Sequence, residues 1–167
     1  VAHAMIPEAI HDGKSLIVLS DESGEVEFWR APANGIGPRA QLTREGDTLR
    51  VEGFPSPDGN WLLSAERNQD LLLFNLKTAE KRRVATSRQR SFDNPEIAWS
   101  HDSQWFAFVN DHPNGFSVIY LCDVATGTAT AVTSERTNSG SPTWSRDGKW
   151  LYFLSERSLQ SVVSAPW

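Results

Sequence analysis

Four aspartates could carry acid–base chemistry: Asp12, Asp58, Asp102 and Asp147, the last three each preceded by a serine two residues earlier, at Ser56, Ser100 and Ser145. A carboxylate beside a hydroxyl is the raw material of proton transfer and, with a histidine, of nucleophilic catalysis. The histidines are His3, His11, His101 and His112. Neither metal-ligand spacing nor an adjacent carboxylate-plus-nucleophile set accompanies them, so they read as solvent-facing loop residues. Spacing decides the aspartates. They lie 46, 44 and 45 residues apart, and catalysis needs one site, whereas these groups recur in every unit. The expected role is therefore turn structure, with each serine hydroxyl bonding local backbone. The chain contains no G-x-S-x-G, S-x-x-K or H-E-x-x-H. No catalytic, metal-binding or cofactor-binding residue is assigned, and no cofactor is expected.

The elements that hold these turns repeat with them. Arg146-Asp147-Gly148-Lys149 is turn chemistry, and the run Trp150-Leu151-Tyr152-Phe153-Leu154 after it is too short for an amphipathic helix and so predicts a strand. The same pattern stands at 56–67 (SPDGNWLLSAER), at 100–111 (SHDSQWFAFVND) and, in a worn copy, at 11–22 (HDGKSLIVLSDE). Trp61, Trp105 and Trp150 each sit three residues after their aspartate; Ser15 is the exception.

Each unit offers four short strands. The third is the clearest, with Glu96 to Trp99, Trp105 to Val109, Ser117 to Cys122 and Thr130 to Thr133, joined at His112-Pro113-Asn114-Gly115 and Asp123-Val124-Ala125-Thr126-Gly127. In the first unit Val26 to Trp29 nearly alternates, predicting a strand with one wetter face. In the last, Ser161 to Ser164 is expected as a third strand and the outer strand is missing.

Four strands in a period of about 45 residues is the signature of a β-propeller blade. The expected fold is all-β: about four blades of four-stranded antiparallel sheet, at roughly 1–48, 49–92, 93–139 and 140–167, forming either a closed four-bladed ring or, as the favoured reading, an arc of a larger ring. The strand after each Asp turn should be covered on both faces by neighbouring blades, which accounts for the unbroken apolarity of Trp105 to Val109 and Trp150 to Leu154. The chain begins without methionine and stops part-way through a repeat, so it reads as a piece of a longer protein.

With 16 basic and 21 acidic residues the net charge is −5, and nothing shows the basic–aromatic interleaving of a nucleic-acid groove, so nucleic acid is not expected as a partner. Lys81-Arg82-Arg83 reads as a solvated outer edge. The apolar runs reach about five residues against the roughly 20 that span a bilayer, so no membrane partner is expected. The lone Cys122 reads as a small core hydrophobe. The compartment is left open, with cytoplasm favoured over periplasm.

The pattern P-x-W-S-x-D-G-K-W-L of Pro142 to Leu151, with Asp123 to Gly127 closing the preceding hairpin, resembles the WD40-like repeat of TolB, of prolyl-oligopeptidase-type propellers and of tricorn proteases. More narrowly, Trp144 to Arg157 is similar to the final blade of the second, larger propeller of tricorn-type core proteases. That resemblance implies a segment of a serine peptidase whose seven-bladed propeller filters or channels peptides to an active site elsewhere. None of the family's catalytic residues matches a position here. The first unit departs from the pattern at Ser15, and the second at Phe54-Pro55-Ser56. The second reading is a TolB-like interaction module whose rim loops, including Ala31 to Pro38 and Asp111 to Gly115, dock a protein. Expected partners are thus peptides or a protein, and the rest of the parent chain or a second copy at the open blade edges.

Overall fold

The computed structural model describes residues 5–9, 13–44, 46, 49–87 and 95–156. Among them are fourteen strands and no helix. The first sheet joins β1 (Met5–Ala9), β2 (Ser15–Ser20), β3 (Glu27–Pro32) and β4 (Ala40–Gln41), and the second joins β5 (Arg50–Pro55), β6 (Trp61–Glu66), β7 (Asp70–Asn75) and β8 (Lys81–Thr86). The third holds β9 (Ile97–Trp99), β10 (Trp105–Asp111), β11 (Ser117–Asp123) and β12 (Ala129–Ala131), and the fourth pairs β13 (Ser139–Trp144) with β14 (Leu151–Ser155). Every sheet runs in sequence order with antiparallel neighbours, the topology of a propeller blade. The expected strand at Ser161 to Ser164 and the aspartate Asp12 lie outside the described residues.

Register repeats from blade to blade. Phe54 faces Leu63, Ala98 faces Ala107 and Thr143 faces Tyr152 across the first two strands of the second, third and fourth sheets. The first strands adjoin one another, β1 beside β5 and β9 beside β13, so they form the inner wall of the arc. The outer strands β4 and β12 are short, while β8 runs six residues; among the described residues, backbone pairing continues beyond the short ones through Leu42 N to Phe28 O and Val132 N to Ile119 O.

Two apolar clusters fill the spaces between blades. Ile17, Leu19 and Phe28 of the first blade meet Leu62, Leu72 and Phe74 of the second. Leu63, Ala65, Leu71 and Leu73 of the second meet Phe106, Phe108, Cys122 and Val124 of the third. Burial of one such large side chain stabilises by about 1.5–3 kcal/mol, so each blade depends on its neighbour. The approach is closest at Gly53, where a Cβ would come within 2.4 Å of the Phe28 ring. The outer edge strand β8 carries Lys81, Arg82 and Arg83, of which Arg82 pairs with Glu80 and donates to the Ala125 carbonyl of the next blade.

Two expectations are revised. The strand with one wetter face buries Glu27 and Phe28 alike, because Glu27 meets an arginine of the next blade. And β14 is not covered on both faces: Tyr152, Phe153 and Leu154 are exposed, while Phe106, Ala107 and Phe108 are buried; the turn-side Trp105 and Trp150 are exposed in both blades. The reason is positional, since β10 lies between two blades and β14 lies at the end of the described arc.

Candidate functional site

The turn groups assemble into the same small motif three times. Ser56, Ser100 and Ser145 each donate from Oγ to Oδ1 of Asp58, Asp102 and Asp147 at 2.6 Å. The same Oγ accepts the backbone N–H of Trp61, Trp105 and Trp150 at 3.0, 2.9 and 2.9 Å. The aspartate also accepts the N–H two residues on, from Asn60, Gln104 or Lys149. Burial pushes the Asp58 carboxyl up, but hydrogen bonds from Ser56, Asn60 and Ser103 outweigh it and leave it below the ordinary carboxylate range. Asp102 and Asp147 are lowered mainly by Ser100 and Ser145, then by the backbone N–H groups. A group lowered in the folded state contributes stability above its unfolded value and loses it as pH falls through the folded one. Stability should therefore decline as pH drops below about 3.8, the ordinary value for aspartate. Acid unfolding of an Asp102→Asn variant, followed by circular dichroism, should show a shallower decline over that window than the parent.

Glycine fills the left-handed turn position in two of these motifs, Gly59 at φ 67° and Gly148 at φ 70°. Ser103 takes it in the third, at φ 59°. That strain brings a compensation, because Ser103 Oγ accepts the backbone N–H of Asp58 in the preceding blade at 3.0 Å. Similar ties join the other turns: Arg30 Nη2 donates to the Gly59 carbonyl, and His101 Nε2 lies 3.1 Å from the Ser145 carbonyl. His112 departs from a freely solvated residue, since its Nε2 lies 3.3 Å from Glu135 Oε2.

Deeper in the blade seams, tryptophans replace turns as the link. Trp99 Nε1 donates to the Phe54 carbonyl at 3.2 Å, and Trp144 Nε1 donates to the Ala98 carbonyl at 3.0 Å. Each indole reaches the inner strand of the preceding blade at the residue just before that blade's own position in the repeat. The second blade has Pro55 there and can make no such bond to the first.

At that seam stands a buried charge cluster instead. Arg50, at 2% exposed, lies between Glu27 of the first blade at 1% and Glu66 of its own at 0%. Its Nη2 is 3.1 Å from Glu27 Oε2, its Nη1 is 3.6 Å from Glu66 Oε2, and its Nε donates to Thr43 Oγ1 at 3.2 Å. Thr43 Oγ1 in turn donates to Glu27, Gly46 N–H donates to Glu27 Oε1 at 2.8 Å, and Ser64 Oγ donates to Glu66 Oε1 at 2.6 Å. The guanidinium sits 5.6 Å from the Phe74 ring centre and 5.9 Å from that of Phe28. The cluster is closed to solvent, so it can orient blades but cannot reach a substrate.

Cys122 is buried, and burial, reinforced by Asp123, pushes its thiol up to about 12. Thiolate is the reactive form. A thiol-specific reagent at neutral pH should leave the native protein unlabelled and react fully after denaturation, as read by intact mass. Among the described residues no group of three or more His, Cys, Asp or Glu could hold a metal ion.

A family model for the second β-propeller domain of tricorn protease matches residues 2–166. This chain belongs to that family. The tricorn-family chain is 30% identical over 155 residues to tricorn protease homolog 1 of Streptomyces coelicolor, covering 90% of this chain and 14% of that protein. It thus spans about one seventh of that relative's length. The crystal structure of the tricorn protease superposes with a TM-score of 0.76 at 18% identity, over 88% of this chain and 15% of that one. TolB from Acinetobacter baumannii superposes at 0.65 with 21% identity, over 96% and 39%. These likenesses carry the propeller fold.

Proposed function

We propose that this propeller segment is a non-catalytic wall of a tricorn-like serine peptidase, one that filters or channels peptides toward an active site elsewhere, as part of a seven-bladed ring. Membership of the tricorn propeller family carries the reading. The local chemistry agrees with it, because Asp58, Asp102, Asp147 and their serines are engaged in turn bonds and blade ties, and the Arg50–Glu27–Glu66 charge cluster is sealed. What remains for a substrate to meet is the inner wall, where Glu96 and Ser141, each six residues before its turn aspartate, are exposed on or beside the first strands. In the full-length polypeptide, Ser141→Arg should lower kcat/KM for long peptides several-fold while leaving short ones unchanged. Equal effects on both lengths, or none on either, would defeat the channelling role.

A second reading is that of a protein-docking propeller, supported by the TolB likeness and by Ile36, which projects at 79% exposure from the loop after β3. Ile36→Asp should abolish a protein complex under that reading and leave peptide turnover untouched.

A further inference from the structure

Beside the outer strand β4, the seam between the first two blades opens into a cavity of about 370 Å³, and we infer that it binds a carboxylate carried on a short apolar body. Leu42, Phe74 and Leu76 give it apolar walls, Arg44 and Lys77 line it with positive charge, and no acidic residue lines it. Among the described residues neither cation has an ion pair, in a chain whose net charge is −5.

The cavity is a departure from the repeat. Asn75 and Asp123 pair with Trp61 and Trp105, each three residues after its turn aspartate, so Lys77 and Ala79 of the second blade correspond to Ala125 and Gly127 of the third. Ala79 keeps at φ 60° the left-handed turn that Gly127 makes at φ 71°. At the next seam that turn is met by the preceding blade: Arg82 donates to the Ala125 carbonyl, and its Cδ lies 3.5 Å from where a Cβ on Gly127 would stand. Arg82 pairs with Leu73 as Ala40 pairs with Arg30, and Leu73 and Arg30 face Leu63 and Ile17, both five residues after their turn aspartate. Alanine thus stands in the first blade where arginine reaches over in the second. The space beside the Lys77 turn stays open.

The lining chooses the occupant. Thr43, which also borders the cavity, has its hydroxyl engaged by Arg50 and Glu27, so charge recognition falls to Arg44 and Lys77. A carboxylate gives both a charge-assisted acceptor, and a body of a few carbons removes Leu42 and Leu76 from water. A cation would meet two like charges, and a neutral apolar molecule would leave both uncompensated. The volume lies within the range of small-ligand pockets, roughly 300–1,000 Å³. Such a group is borne by a free aliphatic acid and by the last residue of a peptide with an apolar C-terminus.

The test measures binding to the full-length polypeptide by titration calorimetry, always against an Arg44→Gln/Lys77→Gln double variant. Both residues are exposed, so the double variant should keep the parent's thermal midpoint. N-acetyl-leucine should bind the parent about tenfold more tightly than N-acetyl-leucinamide, and its affinity should fall as salt is raised and be lost in the double variant. Lys77→Arg, which keeps the charge, should retain binding. A decapeptide ending in leucine separates the two sources: affinity several-fold above that of N-acetyl-leucine and lost in the double variant assigns the peptide terminus, and affinity no higher assigns the free acid. Equal binding of acid and amide, no binding of either, or binding that survives in the double variant would overturn the inference. The cavity adjoins an outer strand, so these outcomes are separate from the Ser141→Arg assay of the inner wall.

Discussion

Replacing Arg50 with methionine should destabilise the protein by about 3–5 kcal/mol, the usual consequence of removing one partner from a buried charge cluster. For a chain of this size that lowers the thermal midpoint by about 6–20 °C, measurable by calorimetry. The magnitude follows from what remains behind. Glu27 and Glu66 sit at 1% and 0% exposure, and methionine fills much of the volume over Phe28 and Phe74 but returns no positive charge between them. Removing the charges together tests the cause. A triple variant that adds Glu27→Gln and Glu66→Gln should recover part of the loss, because amides left in a dry site cost less than unpaired carboxylates. If the triple variant is no more stable than Arg50→Met alone, packing and not charge governs the site. The location of the cluster gives it a role that the repeat does not supply. The second blade has Pro55 where the third and fourth have Trp99 and Trp144, so the indole tie is absent between the first two blades. The Arg50–Glu27 pair crosses that same seam.

The turns and strands were legible because their signals are local. Asp followed by Gly, then an apolar run, fixes a hairpin without reference to anything distant, and the recurrence of Ser56, Ser100 and Ser145 beside their aspartates pointed to backbone bonding from position alone. The seams were less legible, for two physical reasons. Trp99 and Trp144 donate to backbone carbonyls, which leave no residue-type signature at Phe54 or Ala98. Arg50 lies in a polar stretch whose charges suggest exposure, and its burial depends on Glu27, 23 residues earlier and in another sheet. Ser103 hid its role likewise, since a serine in the glycine place of a turn reads as wear until its hydroxyl is seen to accept from the blade before. The apolar run of β14 announced a covered strand, yet covering is a property of the neighbour and is not encoded in the strand itself.

Two phenylalanines make that distinction measurable. Phe108 and Phe153 are both the sixth residue after their turn aspartate, Asp102 and Asp147, and both lie on the second strand of a blade. Phe108 is 1% exposed: its ring stacks on Tyr120 of β11 at 5.5 Å, meets Phe106 at 5.9 Å and packs with Leu63 and Leu73 of the preceding blade. Phe153 is 44% exposed, on a sheet of two described strands. Phe108→Ala should therefore cost about 3–5 kcal/mol through lost transfer energy and the cavity left between blades. Phe153→Ala should cost about 1 kcal/mol or less, in keeping with its exposure. Chemical denaturation of the two variants decides the matter, since the sequence context is equivalent and only the surroundings differ. Similar losses for both would mean that the blades are held by their own hairpins. A gap of several kcal/mol would place the stabilisation in the contacts between blades, where one unit's third strand and the preceding unit's second strand together enclose a single side chain.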